Sequence, residues 1–408
     1  MTRFWTGGYG VDMDGDAEGI GFMSVDDGRG PSTLRHRGTA AAVASPSWLA
    51  AHPTLDVVYA AQEGAGMVQA FARVGEAALR PLGEPLRAGN GVCHLAVSPG
   101  GRMLIASCYG DGRVVRFGIA DDGGLVPAGV DKAAALRAAL FGADGGGSAG
   151  GGSAGDGAAG DVALGERYIP GADTPDVGPD AGIGPTSGVS APYSQRARDP
   201  YPTPAGEEPR VSHTHAAVFL PDGRIATTDL GFDLVRIWRP SGQGLALDHE
   251  IVLPRGTGPR HMVMHPSGHL HVVTEYSCEV FTLASARDGV WGLVSATTAS
   301  PIALVGVDFP AELAVSRDGD TLYTALRGSN TLAALRVRAG GDALEPLALA
   351  DSGADWPRHH LVYDGTLLVA GQRSGTVSVV DLDERTGAPR DVRHVAEAPT
   401  PTVILPAR

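Results

Sequence analysis

Short apolar segments alternate with tight turns along most of the chain, and the same arrangement recurs at a nearly constant spacing. Each copy has an apolar segment, a turn such as Pro-x-Gly or Pro-Asp-Gly, and a second apolar segment that ends in a polar residue. Copies begin at Leu49, Leu95, Ala217, Met262 and Leu313. Alternation with a period of two is typical of half-buried β-strands. The pattern therefore predicts a repeated β-sheet unit.

The polar residues that close the second strands give the length of the repeat. They are Glu63, Tyr109, Asp229, Glu275, Arg327 and Gln372, at intervals of 46, 120, 46, 52 and 45 residues. With Phe4–Tyr9 as a further copy, the sequence holds seven units of about 47 residues, the size of a four-stranded propeller blade. We expect one all-β, seven-bladed β-propeller over residues 1–408, closed by pairing of Pro401–Leu405 with the segment that begins at Phe4.

The interval of 120 residues contains a segment of different composition. Residues 142–209 hold 17 Gly and 9 Pro in 68 positions and show no apolar periodicity. Such a segment buries too little apolar area to offset the entropy lost on ordering, so we expect a flexible insertion within the propeller. Two Gly-x-Ser-x-Gly sequences start at Gly146 and Gly151, but neither has the flanking strand and helix of a nucleophile elbow.

Composition limits the classes of partner. The chain has 32 Lys and Arg against 46 Asp and Glu, a net charge of −14, and we expect it to bind neither nucleic acid nor an anionic membrane surface. The predicted insertion carries ten acidic and three basic residues and so supplies −7 of that charge. The repeats are closer to neutrality, which leaves a small anionic substrate compatible with the sequence.

Cysteine usage and the N-terminal sequence bear on location. Cys93, Cys108 and Cys278 show no C-x-x-C spacing, which argues against a zinc ribbon or a disulfide framework. The N-terminal residues lack the apolar core of a signal peptide, and no later run approaches the roughly 20 apolar residues of a membrane span. We expect a cytoplasmic protein. Nothing in the pattern indicates its oligomeric state.

Two histidines stand at the start of a predicted channel strand. His213 and His215 are two positions apart and would share one face of a strand, where a ring nitrogen can act as a general base near neutral pH. The alternative is a structural pair that is hydrogen-bonded to neighbouring blades. Two nitrogens without nearby carboxylates make a poor zinc site. Three further histidines, His265, His269 and His271, surround a turn, and we expect them to be exposed.

Arginines stand at equivalent ends of the predicted strands. Arg260 and His261 precede one strand, Arg358 and His359 repeat the pattern two units later, and Arg327 closes the strand between them. Guanidinium groups match carboxylate, phosphate or a developing oxyanion. Surface salt bridges are the alternative for each arginine taken alone.

Glu275 ends an apolar strand, where an unpaired carboxylate would be costly if buried. It therefore needs a partner. A structural ion pair with Arg260 or Arg327 is as good an account as a catalytic role.

Several of these motifs together resemble one family of known proteins. They are Ser212-His-Thr-His, Asp229-Leu-Gly, Gly256-Thr-Gly-Pro-Arg-His and Trp356-Pro-Arg-His. The combination resembles the seven-bladed β-propeller lactonases, which include propeller-type 6-phosphogluconolactonases and fungal carboxymuconate cyclases. The likeness covers nearly the whole chain except the insertion. The sequence departs from the family in having Thr274-Glu275 where Asn-Glu is common, and in an insertion that is longer than usual and leads into His213 and His215.

The resemblance implies a lactonase that hydrolyses a small sugar lactone, with 6-phosphogluconolactone as the substrate it favours and with no metal or other cofactor. In this scheme His215 transfers the proton, Arg260 and Arg327 bind the oxyanion or the substrate anion, and Glu275 orients an arginine. These four are the catalytic residues. The substrate-binding residues are His213, His261, Arg358 and His359. A carboxymuconate-type lactonising cycloisomerase is the first alternative. A non-catalytic propeller that binds proteins is the second, although the chain lacks a regular Gly-His and Trp-Asp signature in each unit.

Overall fold

The computed structural model describes residues 2–26, 33–127, 198–242 and 244–407. Within these ranges 28 strands form seven four-stranded antiparallel sheets, each built from strands that are neighbours in the sequence except where the ring closes. The helical segments of the same ranges are the 3₁₀ turns Val11–Met13 and Ala339–Gly341, and no helix in them is long and apolar enough to span a membrane. The all-β, seven-bladed propeller predicted from the repeat is confirmed.

The blades are numbered from the N-terminus. Blade 1 contains β1 (Arg3–Gly8), β2 (Gly19–Ser24) and β3 (Arg35–Ala42). Blade 2 contains β4 (Pro46–Ala51), β5 (Val57–Gln62), β6 (Met67–Val74) and β7 (Ala78–Arg87). Blade 3 contains β8 (Val92–Val97), β9 (Met103–Cys108), β10 (Val114–Ile119) and β11 (Leu125–Pro127). Blade 4 contains β12 (Thr214–Phe219), β13 (Ile225–Asp229), β14 (Leu234–Ser241) and β15 (Gly244–Val252).

The remaining blades follow in the same order. Blade 5 contains β16 (Pro259–Met264), β17 (Leu270–Thr274), β18 (Glu279–Ser285) and β19 (Trp291–Thr298). Blade 6 contains β20 (Phe309–Val315), β21 (Thr321–Arg327), β22 (Thr331–Arg338) and β23 (Ala343–Asp351). Blade 7 contains β24 (Pro357–Tyr363), β25 (Thr366–Gly371), β26 (Thr376–Leu382) and β27 (Pro389–Glu397), and β28 (Pro401–Pro406) returns to blade 1.

The last strand closes the ring as its sequence predicts. β28 pairs antiparallel with β1, with Trp5 opposite Leu405 and Thr6 opposite Ile404. The innermost strands are β28, β4, β8, β12, β16, β20 and β24, and each contacts the next in that order around the central channel. Closure by the two chain ends leaves no blade without neighbours on both sides, which removes exposed sheet faces.

The apolar core lies between consecutive blades. Buried side chains form one cluster at each blade-to-blade interface in the described residues; Tyr59 and Phe117, for example, pack between blades 2 and 3. Trp238 belongs to the interface of blades 3 and 4, where its indole N–H donates to Thr227 Oγ1 at 2.8 Å. The strands therefore bury both faces, because every sheet is covered by the sheet before it and the sheet after it.

Every inner strand has a β-bulge near its start, which affects the side chains that face the channel. The pairing of each inner strand with its neighbour slips by one residue within the first four positions. Such a bulge bends the strand and re-aims its side chains. We number the positions from Pro46 in β4 and from the equivalent residue of each other blade, which in β20 is Pro310, the second paired residue. The second positions are Ser47, Cys93, His215, Arg260, Ala311, Arg358 and Thr402, and the third positions are Trp48, His94, Ala216, His261, Glu312, His359 and Val403.

The expectation that His265, His269 and His271 are exposed is wrong, since two of them are buried and the His269 side chain is only 13% exposed. His265 is buried and its Nε2 lies 2.6 Å from the Gly319 carbonyl oxygen in the next blade. His52 of blade 2 makes the same contact with Gly101 of blade 3, at 3.1 Å. His271 is fully buried, with Nδ1 3.1 Å from Thr282 Oγ1. The histidine of a His-Pro turn thus joins neighbouring blades, a role that the local turn pattern does not reveal.

Most of the predicted insertion lies outside the described residues. Residues 142–197, with both Gly-x-Ser-x-Gly sequences, fall there, and residues 198–209 contain no helix or strand. The flexibility of the insertion stays a prediction.

Candidate active site

Arg260 and His261 are placed by a loop that one buried carboxylate organises. Asp233 accepts hydrogen bonds from the backbone N–H groups of Gly256 and Gly258, at 2.9 and 2.8 Å. Gly258 has a φ of +64°, and a Cβ there would lie 2.6 Å from the Tyr276 ring, so only glycine fits. The Gly-Thr-Gly-Pro-Arg-His motif therefore delivers Arg260 to the channel by a fixed turn.

A second buried carboxylate organises the approach to His215. Asp229 accepts from the backbone N–H groups of His213 and Phe232, at 2.9 and 3.0 Å, and forms an ion pair of 2.6 Å with Arg236. Its oxygens are thus occupied by the fold. The Asp229-Leu-Gly motif serves to hold the segment that precedes β12.

The structure brings Arg260, Glu275 and Arg327 together at the end of the channel where the inner strands begin. Glu275 Oε2 lies 2.9 Å from Arg260 Nε and 3.1 Å from Arg327 Nη2. Arg260 Nη1 donates to the Ala311 carbonyl at 2.6 Å, and Arg327 Nε donates to the Phe309 carbonyl at 2.9 Å. Two guanidinium groups thus share one carboxylate, and Arg327 Nη2 also donates to the Pro310 carbonyl at 3.5 Å. Arg260 Nη2 and Arg327 Nη1 have no hydrogen-bond partner among the described residues.

Burial sets the protonation of this cluster. Arg260, Glu275 and Arg327 are 2%, 7% and 1% exposed. Desolvation, reinforced by Arg327, lowers the pKa of Arg260 to about 10, which keeps it charged at neutral pH. Burial alone would raise the pKa of Glu275, but the two arginines outweigh it and the net shift is downward. The cluster therefore holds one carboxylate and two guanidinium cations at pH 7.

His215 lies beside this cluster in the same channel. Its ring centre is 5.1 Å from that of His261 and 6.3 Å from that of Tyr109. His215 Nδ1 is buried and has no hydrogen-bond partner among the described residues. Burial first, and then the charge of Arg260, lower the pKa of His215 well below its usual value. The imidazole is consequently neutral at pH 7.

The third inner positions form a layer of rings across the channel. The Trp48 ring centre lies 4.5, 5.1 and 5.4 Å from those of His94, His261 and His359. Glu312 completes the layer, since its Oε2 is 2.9 Å from His261 Nδ1 and 3.8 Å from His359 Nε2. Desolvation lowers the pKa of His359 to about 4 and lowers the pKa of His261 well below its usual value. Glu312 is thus the acidic group of a layer of neutral histidines.

The two other predicted site residues lie at the rim. His213 comes before the first residue of β12, its ring stacks on Tyr109 at 4.3 Å, and its Nδ1 is 2.7 Å from the Tyr109 carbonyl oxygen. It therefore does not pair with His215 as a neighbour on one strand face. Arg358 is half-buried, with Nη1 3.4 Å from Gln372 Oε1 and its guanidinium over the Tyr9 ring.

Sequence reasoning missed Trp48, His94 and Glu312. Each occupies the third inner position of its blade, as His261 and His359 do. They are found when the repeats are aligned on Val92 and on the prolines Pro46 and Pro310, which lie two positions before them. Trp48 and Glu312 stand where other blades have histidine, and His94 follows a cysteine where His261 and His359 follow an arginine.

A cavity of about 300 Å³ continues the channel beyond the ring layer. Its polar wall consists of Trp48, Glu312, His359 and His360, and its apolar wall comes from the later residues of β20, β24 and β28. That volume lies at the lower end of the range for small-molecule pockets. Of the eight residues predicted for the site, His359 lines this cavity.

The described residues contain no group of three His, Cys, Asp or Glu side chains arranged to hold a metal ion. The functional groups are instead arginines, neutral histidines and carboxylates inside a desolvated channel. The description "Lactonase, 7-bladed beta-propeller" belongs to a family model that matches residues 3–133 and 186–406. The chain belongs to this lactonase family.

Solved lactonase-like propellers share the fold over the whole chain. A Lactobacillus plantarum protein is 20% identical and superposes with a TM-score of 0.75, covering 100% of both chains. The periplasmic gluconolactonase of Pseudomonas aeruginosa is 18% identical with a TM-score of 0.74, covering 100% of this chain and 99% of that one. A Bacteroides fragilis protein, named as a candidate 6-phosphogluconolactonase, is 18% identical with a TM-score of 0.73, covering 100% and 98%.

Curated relatives match over part of their length. An uncharacterised Lactococcus lactis protein is 29% identical over 204 residues, which is 49% of this chain and 60% of that protein. At these identities the comparisons establish the lactonase fold and family and leave the substrate open.

Proposed function

We propose that this lactonase hydrolyses a small sugar lactone, and that 6-phosphogluconolactone is its substrate. The observation that carries the proposal is the buried cluster in which Arg260 and Arg327 share Glu275 beside a neutral His215. Fixed cationic donors in a desolvated site stabilise the oxyanion of acyl transfer. The names of the gluconolactonase and the candidate 6-phosphogluconolactonase with this fold support a sugar lactone.

The reaction follows from the protonation states. A water molecule attacks the lactone carbonyl carbon while His215 accepts one of its protons. The uncommitted N–H groups of Arg260 and Arg327 bind the resulting oxyanion. The ring C–O bond then breaks, and the proton on His215 passes to the departing ring oxygen, which yields the open hydroxy acid.

Glu312 and His261 act as positioning residues in this scheme. The Glu312 carboxylate lies 2.9 Å from His261 Nδ1 without a hydrogen bond to its Oε2, so it acts on the His261 ring through its negative charge. The His261 ring in turn lies against His215, with the ring centres 5.1 Å apart. The four predicted substrate-binding residues, His213, His261, Arg358 and His359, border the site on its rim and inner sides.

A cytoplasmic location is part of the proposal. Cys93, Cys108 and Cys278 are free and buried, which agrees with a reducing compartment. Fractionation of the source cells, with a periplasmic marker as control, distinguishes it from the location of the Pseudomonas aeruginosa relative.

A substrate panel tests the reaction class. Purified protein is mixed with 6-phosphogluconolactone, glucono-1,5-lactone and carboxymuconate, and NMR follows each compound with correction for spontaneous hydrolysis. We expect faster opening of the two lactones and no closure of the muconate. Formation of a muconolactone would identify the cycloisomerase instead, and no turnover of any compound would support the binding module.

A further inference from the structure

We propose that Arg373 and Trp356 form a subsite for the phosphate group of a phosphorylated lactone at the rim of the channel. The proposal rests on the lactonase function and specifies its substrate class. Arg373 follows Gln372 in the turn between β25 and β26. Glu275 and Arg327 lie at the end of the second strand of blades 5 and 6, as Arg373 does in blade 7. All three residues are therefore at the same edge of the propeller.

The Arg373 guanidinium lies flat against an aromatic ring that also contacts the catalytic cluster. Its Cζ is 3.6 Å from the centre of the Trp356 ring, and Arg327 Cζ is 5.4 Å from the same centre. The two guanidinium carbons are therefore separated by no more than the sum of these distances, about 9 Å. One substrate with a carbonyl at Arg327 and an anionic group further out would reach both.

The backbone of Trp356 is strained to present this ring. Its φ of +58° lies in the left-handed region, which a bulky side chain rarely adopts. Asn330 Oδ1 accepts from the Trp356 N–H at 2.9 Å, and the Gln372 N–H donates to the Trp356 carbonyl at 3.2 Å. The residue is 7% exposed, and its indole Nε1 has no acceptor among the described residues. Strain and unsatisfied polar groups of this kind concentrate at functional sites.

The charge at this point has no partner in the fold. Arg373 is exposed and makes no ion pair with any carboxylate of the described residues. The Arg373 guanidinium contacts the Trp356 ring, with Cζ 3.6 Å from the ring centre, and the residue is exposed, so its N–H donors can bind a phosphate through two hydrogen bonds. A phosphate monoester carries between one and two negative charges at neutral pH, whereas an unphosphorylated sugar lactone is neutral. The subsite therefore selects the phosphorylated substrate.

Kinetics on paired substrates test the subsite. Arg373→Gln is compared with wild type and with Arg385→Gln, an exposed arginine in the turn at the opposite edge of the same blade. We expect Arg373→Gln to raise KM for 6-phosphogluconolactone about 10- to 100-fold, with kcat unchanged and with glucono-1,5-lactone unaffected. Arg385→Gln should match wild type. Equal effects on both substrates, or no effect on either, would overturn the proposal.

A binding measurement distinguishes failure of the subsite proposal from failure of the proposed lactonase function. Calorimetry measures the Kd of 6-phosphogluconate and of gluconate for the same three proteins. If the wild type hydrolyses neither lactone but Arg373→Gln weakens 6-phosphogluconate binding at least tenfold, with gluconate unaffected, the subsite stands without the proposed reaction. Equal affinities in wild type and Arg373→Gln, or no binding of 6-phosphogluconate to wild type, would reject the subsite.

Discussion

Glu275 is the residue on which two buried arginines depend for a counter-charge. Its side chain contacts Arg260 and Arg327, and all three side chains are buried. The sequence left its structural and catalytic roles open, and the geometry allows both. As the counter-charge of Arg260 and Arg327, this carboxylate makes the burial of both guanidinium groups tolerable.

We predict that Glu275→Gln lowers the free energy of unfolding by about 3–5 kcal/mol, since removing one partner of a buried ion pair leaves the other uncompensated. Chemical denaturation measures the change. Glu279→Gln is the control, because Glu279 lies four residues away in the same blade and forms no ion pair among the described residues. Equal stability of the two variants would mean that the arginines do not rely on Glu275.

At the residue scale, the sequence identifies the site residues that lie in a repeated motif more readily than the residues that contact them across the channel. Arg260 and His261 stand out because the motif repeats at Arg358 and His359. Glu312 follows Pro310 and Ala311 and resembles no motif, although it completes the same layer of the channel. Which groups meet across the channel depends on the ring closure, and no single repeat carries that information.

At the scale of the element, the alternation of apolar residues is enough to predict the strands and their order. The strand that closes the ring, β28, follows from the apolar run Pro401–Leu405 and the need to cover blade 1. Blade 7, whose second strand is followed by Gln372, is a complete four-stranded sheet. Bulges were not predictable, because the slip in pairing has no residue signature beyond the frequent proline at the first inner position. They decide which side chains enter the channel.

Blade-to-blade contacts also explain why histidines were misjudged. His52 and His265 lie in turns, where exposure is the usual outcome, yet both reach a carbonyl oxygen of the following blade. A turn that is exposed within one sheet is covered once the sheets stack. Exposure in a propeller is therefore a property of neighbouring blades more than of the local sequence.

At the scale of the whole molecule, the buried neutral histidines make stability depend on pH. Burial lowers the pKa of His359 to about 4 and that of His271 to about 3. In the unfolded chain these groups have pKa values near 6.5, so the unfolded state binds more protons below that pH. The stability they contribute is complete above pH 6.5 and is lost as the pH falls towards the folded-state values.

We predict that each of these two histidines costs about 2 kcal/mol of folding free energy at pH 5 relative to pH 8. Glu275 and Asp248 have lowered pKa values, so their contribution is lost only at lower pH. Urea denaturation between pH 5 and 8 gives the slope, and His271→Gln should reduce it, since the amide does not titrate. A stability that is constant over this range would contradict the burial of neutral histidines.

We propose that closure of the propeller brings buried channel residues from different blades together into one lactonase site, in which His215 accepts the proton. The most direct measurement is kcat for 6-phosphogluconolactone in wild type, His215→Ala and His269→Ala, with folding of each checked by circular dichroism. His269 is a matched control, because it lies at the other end of blade 5 and contacts Asp342. We predict a fall in kcat of about 10²–10⁴-fold for His215→Ala and none for His269→Ala. A folded His215→Ala protein with wild-type kcat would contradict the account.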